Sequence, residues 1–219
     1  MAKRIETPIP PRDCAPDLPG ELDDVSFVNP RDDLFAARLV HLAGEVDASH
    51  GRLVECAVDA ASLDRLLLDG TTLADVRVSD LRTAVLSARD GRWRNVLIAG
   101  GRLGTLDLSR TDLDGVELRG LRIGYLSLAS ARVRDVRFVD CVLGTVDVPE
   151  ARVERVAFDG CRANEVDTRG LRATDVDLRG LEALSFTDPA GLRGATLSER
   201  QAQQHAPAFA SALSIFLKS

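Results

Sequence analysis

The feature that most constrains this chain is a five-residue period that holds its register through most of the sequence. Every fifth residue from Leu53 to Ala183 gives 27 positions, among them Leu68, Leu73, Trp93, Leu103, Leu113, Leu118, Phe138, Leu143 and Phe158, and nearly all are apolar. A second column two residues earlier is apolar or small, as at Cys56, Leu66, Leu81, Leu106, Val116, Leu126, Val136, Cys141, Val156 and Cys161. The other three positions of each five are mostly Asp, Arg, Glu, Ser, Thr or Gly. Neither a helical period nor simple alternation accounts for this pattern, and internal repeats take precedence in such a case. Residues two apart share one side of an extended segment, so each unit turns two side chains inward and must bend before the next. Glycine two places after the central residue, at Gly70, Gly100, Gly115, Gly120, Gly160, Gly170 and Gly180, fits those bends.

Units such as Thr-Asp-Leu-Asp-Gly at 111–115, Val-Glu-Leu-Arg-Gly at 116–120 and Val-Asp-Leu-Arg-Gly at 176–180 resemble the pentapeptide-repeat family, whose unit reads A(D/N)LXX. The resemblance covers roughly residues 46 to 198. It implies an all-β solenoid, a right-handed quadrilateral β-helix with four units per coil, and a C-terminal helical segment. About seven coils would then make a rod on the order of 30 Å long at ~4.8 Å per strand layer. Val and Leu often stand where that family places Ala in the inner small column, which leaves the local cross-section open. Alternation of Ala131, Cys141, Ala151 and Cys161 with Val136, Val146, Val156 and Val166 predicts an evenly filled core. Phe138 and Phe158 are expected to stack in successive coils, as is Leu118 with Phe138, all almost fully buried.

The chain reads as one domain in four parts. Residues 1–20 carry five prolines among polar residues and predict a flexible, loosely draped arm. Residues 21–45 predict an N-terminal cap, either a helix opening at Asn29-Pro30-Arg31-Asp32-Asp33 and stopped by Gly44, or irregular strands at 25–28 and 39–42. Residues 46–197 are the β-helix. Residues 198–219 open on a capping box, Ser198 with Gln201, and are interrupted by Pro207. Phe209, Leu213, Phe216 and Leu217 then fall on one helical face, predicting a cap over the last coil or, as the resemblance implies, a homodimer seam.

No catalytic, cofactor-binding or metal-ligating set is read from the sequence, and the chain is expected to be non-enzymatic. Cys14, Cys56, Cys141 and Cys161 lack metal-ligand spacing and are expected to be structural thiols, the last two one above the other. His41, His50 and His205 are scattered. Paired aspartates follow from the repeat and are no evidence of acid–base chemistry. The absence of a long apolar run or secretory signal predicts a cytoplasmic protein.

Charge is more informative. The whole chain has 28 basic and 34 acidic residues, a balance that argues against direct nucleic-acid binding. Stepping by 20 places Asp107, Ser127, Asp147 and Asp167 in an acidic stripe between two basic ones, Arg102, Arg122, Arg162 and Arg132, Arg152, Arg172. Asp135, Glu154 and Asp175 are expected to separate the stacked arginines of the second. The reading that follows is a protein-interaction or scaffold module, with Asp107, Asp147, Asp167, Arg132, Arg152 and Arg172 as its candidate surface. The resemblance implies an alternative, a DNA mimic that binds DNA gyrase or topoisomerase IV and protects it from quinolone-type poisons. Against it, residues 101–190 hold 13 Arg, no Lys and 16 acidic residues, far from the strong negative charge of DNA.

Overall fold

The structure, a computed structural model, describes residues 7–13 and 15–217. Cys14 and the first six residues of the expected arm lie outside them. Among the described residues seventeen strands join in one continuous parallel sheet that winds into a solenoid of about eight turns. Pairing partners are 20 residues apart through the body of the rod, as in Leu113↔Val133, Val116↔Val136 and Ile123↔Leu143, so four pentapeptides complete each coil. Three stretches, Thr72–Ser87, Arg92–Asp107 and Asp112–Ser127, keep their pairing through the bends. Between residues 46 and 196 the described helical structure is one 3₁₀ turn, Pro189–Leu192.

The two apolar columns face the axis. Leu81, Leu106, Leu121, Leu126 and Cys141 have no exposed surface, and Trp93 retains 1%. Burying such a column in every layer spreads the hydrophobic stabilisation along the rod instead of concentrating it in one nucleus. Polar residues that interrupt the columns are satisfied locally. Thr71 Oγ1 donates to the Ala48 carbonyl at 2.8 Å and Thr111 Oγ1 to that of Ala88 at 2.6 Å.

The bends explain which residues sit between the columns. Three of the four corners put a residue in the left-handed region, for example Asp75 at φ 54°, Asp135 at φ 53°, Asp140 at φ 52° and Gly100 at φ 72°. Asp, Asn, Gly and Ser tolerate that region, while β-branched residues are strained there. The fourth corner has ordinary backbone, and there the chain places Val85, Thr105, Tyr125 and Thr145. Left-handed glycines thus occur at three corners and at none of the described positions of the fourth.

Phe138 and Phe158 stack at 4.6 Å between centroids with 8° between ring planes, and Leu118 pairs with Phe138. Phe158 is only partly buried, however, and the even filling expected of the core fails toward the C-terminal end. A cavity of about 50 Å³ lies there among Val133, Phe158, Leu171, Val176 and Leu192. Ala173 and Ala195 supply too little volume where larger residues fill earlier layers.

Both ends differ from expectation. No helix forms over residues 29–42. Instead Asp33–Phe35 and Ala37–Leu39 are strands that pair 19 residues ahead, with Asp33↔Arg52 and Arg38↔Ala57. The solenoid therefore begins one coil earlier than residue 46, because Leu34 and Leu39 continue the apolar column with one residue fewer per coil. At the other end the capping box forms: Gln201 N–H donates to Ser198 Oγ at 3.3 Å and Ser198 N–H to Gln201 Oε1 at 2.8 Å, opening α1 (Glu199–Gln204). The buried Gln201 Nε2 donates to the carbonyls of Leu178 at 2.8 Å and Leu181 at 2.7 Å, satisfying backbone that the open sheet end would leave bare. His205 packs edge-on to Phe186, and Phe209 of α2 (Ala206–Ala212) packs behind it.

The expected apolar face of the tail does not continue. The helix stops at Ala212, and Leu213, Phe216 and Leu217 are 72%, 91% and 64% exposed. Of the four residues proposed as cap or seam, Phe209 alone helps close the rod in this single chain. Changing Leu213 and Phe216 together to Asp should leave the thermal melt of the monomer within about 0.5 kcal/mol of wild type, as for surface sites generally. A clearly lower melting temperature at concentrations where the protein is monomeric would show that the tail folds back onto the rod.

Candidate functional site

The 20-residue coil turns the sequence period into four flat faces with side chains in register. On one face the residues just before the central position are Arg52, Thr72, Arg92, Asp112, Arg132, Arg152 and Arg172, in consecutive layers. The residues just after it include Arg94, Asp114, Arg134, Glu154 and Thr174. Two open grooves run between these side chains. One of 520 Å³ lies among Arg132, Arg134, Arg152 and Arg172, and one of 300 Å³ among Arg52, Arg92 and Arg94.

The acids expected to separate these arginines are occupied elsewhere. Asp135 accepts from Arg155 Nε at 2.8 Å and Nη2 at 2.9 Å, Glu154 also pairs with Arg155, and Asp175 accepts the Ile9 amide at 3.0 Å. Among the described residues Arg52, Arg92, Arg94, Arg132, Arg152 and Arg172 make no ion pair. The physical reason is the corner. Asp135 and Asp175 sit in the left-handed region at the bend, where Arg155, the corner residue of the next layer, meets Asp135 and the Ile9 amide meets Asp175. The Arg155 guanidinium, with further help from the Arg12 amide, holds the Asp135 carboxyl below its ordinary value of 3.8 against the opposing effect of burial.

The acidic stripe lies where the register put it, with Asp107, Ser127, Asp147 and Asp167 in consecutive layers between the arginine face and a second basic column, Arg82, Arg102, Arg122 and Arg162. Its carboxylates face inward bonds as much as solvent. Asp107 accepts the Ser109 amide at 3.0 Å and Asp147 the Tyr125 hydroxyl at 2.5 Å. Asp167 is buried against Arg169, whose Nε donates at 2.8 Å and whose guanidinium lowers the carboxyl below 3.8. The exposed, uncompensated charge of the rod is therefore basic on two faces, although the chain as a whole is acidic.

Cys56, Cys141 and Cys161 are buried free thiols. The Cys141 amide donates to Cys161 Sγ at 3.4 Å, which puts the two in adjacent layers, and the neighbouring thiol together with burial pushes Cys141 upward. No group of three potential metal ligands and no helix long and apolar enough to cross a membrane occurs among the described residues.

Two features escaped the sequence reading. The arginine face extends to Arg52 and Arg92, which the step of 20 places in line with Arg132, and to Arg94, in line with Arg134. The second is the arm. The expectation of a loosely attached N-terminus is corrected: residues 9, 12 and 17 are bonded to the rod along one corner. Ile9 N–H reaches Asp175, Arg12 N–H reaches Asp135 at 3.1 Å, and Asp17 N–H reaches Asp75 at 3.2 Å.

No family model matches the sequence, and no curated protein matches it. Among solved structures the chain is similar to a trypsin-treated form of QnrB1, a plasmid-mediated fluoroquinolone resistance protein. The match covers 87% of this chain and 100% of that one, at 14% identity and a TM-score of 0.30.

Proposed function

We propose that this pentapeptide-repeat solenoid is a non-enzymatic interaction rod that works in the cytoplasm without a cofactor and engages an acidic protein surface through its arginine face. The observation that carries the reading is a face with six arginines outside any ion pair, of which Arg132, Arg152 and Arg172 stand in consecutive layers at the ~4.8 Å spacing of the coils. Long cations this close repel one another weakly through solvent, and a complementary partner relieves that repulsion while steering association. Nucleic acid fits less well, because Asp112, Asp114 and Glu154 interrupt the face and no exposed aromatic ring on it offers a base a stacking platform. The exposed apolar tail, Leu213, Ile215, Phe216 and Leu217, is the proposed site of self-association.

The test is capture from the native cytoplasm by the full chain and by a variant with Arg132, Arg152 and Arg172 changed to Gln. Partners that bind the wild type, elute as salt rises and are lost from the variant support the reading; an unchanged set sinks it. The alternative, topoisomerase protection by DNA mimicry, is tested separately. We expect no inhibition of gyrase supercoiling and no rescue from a fluoroquinolone at micromolar protein, because a saddle that accepts DNA would meet arginines. Protection that weakens when Asp107, Asp147 and Asp167 become Asn would reverse the ranking.

A further inference from the structure

The N-terminal arm is seated on the rod in a way that identifies a second recognition surface, independent of the arginine face reading. Its three anchoring bonds all have the same chemistry: an arm backbone N–H donates to an aspartate carboxylate on or beside one corner of the solenoid. Asp75, Asp135 and Asp175 all occupy that corner, each in the left-handed conformation that aims the carboxylate outward from the bend. Asp114, in the layer before Asp135, takes the Arg12 guanidinium. From the other side Arg137 reaches the Pro11 carbonyl at 3.4 Å and Asp13 at 3.2 Å. Pro11 is buried, and Pro8, Pro16 and Leu18 are half-buried, while Ile9, Pro10, Arg12, Asp13, Ala15 and Asp17 face solvent.

The geometry selects for an extended polyproline-type segment. Eight residues separate Ile9 from Asp17, a reach of about 25 Å at 3.1 Å per residue. Five coils separate Asp175 from Asp75, about 24 Å at the strand-layer spacing. The arm therefore meets a carboxylate only where its free amides fall in step with the coils. Pro10, Pro11 and Pro16 take three of the six positions between the anchors, where no donor is needed and the backbone is held extended. A segment of this kind loses little freedom on docking, which is the general advantage of polyproline ligands.

We propose that this carboxylate-lined corner is a peptide-recognition groove for an extended, proline-rich segment bearing an arginine, that the arm is its resident occupant, and that a partner segment of the same chemistry binds by displacing it. The arm then acts as an internal competitor, and the groove's apparent affinity is set by how often the arm is off.

The experiment uses the full chain and a fluorescently labelled synthetic peptide with the sequence of residues 7–20, carrying Cys14→Ser. Fluorescence anisotropy should show binding at least tenfold tighter to an Arg12→Ala protein, whose arm is weakened, than to the wild type. Adding Asp135→Asn and Asp175→Asn to that protein should abolish binding, with circular dichroism confirming that its fold persists. In the wild type, the amides of Ile9, Arg12 and Asp17 should exchange slowly with deuterium. Equal affinity for the wild type and Arg12→Ala, no binding to either, or binding indifferent to the aspartate changes would overturn the proposal. If the aspartate variants fail to fold, unprotected arm amides in the wild type would overturn it on their own.

Discussion

Trp93→Ala should destabilise the protein by about 3–5 kcal/mol, the range for removing a large buried aromatic. Trp93 is 1% exposed and lies between Leu73 and Leu113 in successive layers. Its Nε1 is the one buried side-chain polar atom among the described residues without a hydrogen-bond partner. Trp93→Phe should accordingly cost much less, under about 2 kcal/mol, because it removes that orphaned donor together with part of the ring. The preceding inward position in its coil is Gly91, where an added Cβ would crowd the carbonyl oxygens of Thr71 at 3.0 Å and Ala88 at 3.1 Å and would touch Nε1 at 3.6 Å. Urea unfolding followed by circular dichroism measures both variants. An alanine variant within 1 kcal/mol of the wild type, on the order of a single methylene, would show that neighbouring layers collapse into the space.

The second large effect is expected at Gly144. Gly104, Gly124 and Gly144 stack in consecutive layers, and a Cβ at Gly144 would lie 2.1 Å from the carbonyl oxygen of Gly124. The clash cannot be relieved by sliding the layers, since Ile123↔Leu143 and Tyr125↔Thr145 hold them in register on either side. Gly144→Val should therefore cost at least about 3 kcal/mol, or prevent folding, as overpacking against fixed backbone does. Gly120→Ala is the control: its φ is +63° and its nearest contact would be 3.9 Å away, so the cost should be only the roughly 1–2 kcal/mol of the backbone conformation. Similar melts for the two variants would show that the layers separate more easily than their pairing implies.

What could be read from the sequence follows from what a period can encode. The five-residue register determined the inward columns, the stacking of Phe138 on Phe158 and the alignment of Arg132 with Arg152 and Arg172, while the capping box was legible from Ser198 and Gln201 alone. It could not place contacts made across the period. The destination of the Asp135 and Asp175 carboxylates depends on backbone handedness at a corner, which the residue type only permits. The arm's docking joins residues 58 to 166 positions apart through main-chain amides, which have no side-chain signature. The single helical face expected of the tail does not form, because apolar spacing records where such a face would lie, whereas the helix ends at Ala212, before Leu213, Phe216 and Leu217 can share it. Coil length at the ends was also invisible: nothing in the apolar pattern near Leu34 announces a turn one residue short.

The arm also makes the rod's length a measured quantity. An isolated repeat solenoid can gain or lose a 20-residue coil with little local penalty, since each layer touches only its neighbours. Here the distance from Asp75 to Asp175 is spanned by a segment already close to its polyproline length of about 25 Å. One additional coil between those residues would carry the anchors to about 29 Å apart, at the limit of a fully extended chain. One fewer would leave slack and put Ile9 and Arg12 out of step with their carboxylates. Insertion of a single pentapeptide would rotate every later column by a quarter turn and carry Asp175 to another corner. The eight-residue span from Ile9 to Asp17 thus acts as a gauge, tying the number of layers between its two ends to the length of a strand of chain that belongs to none of them.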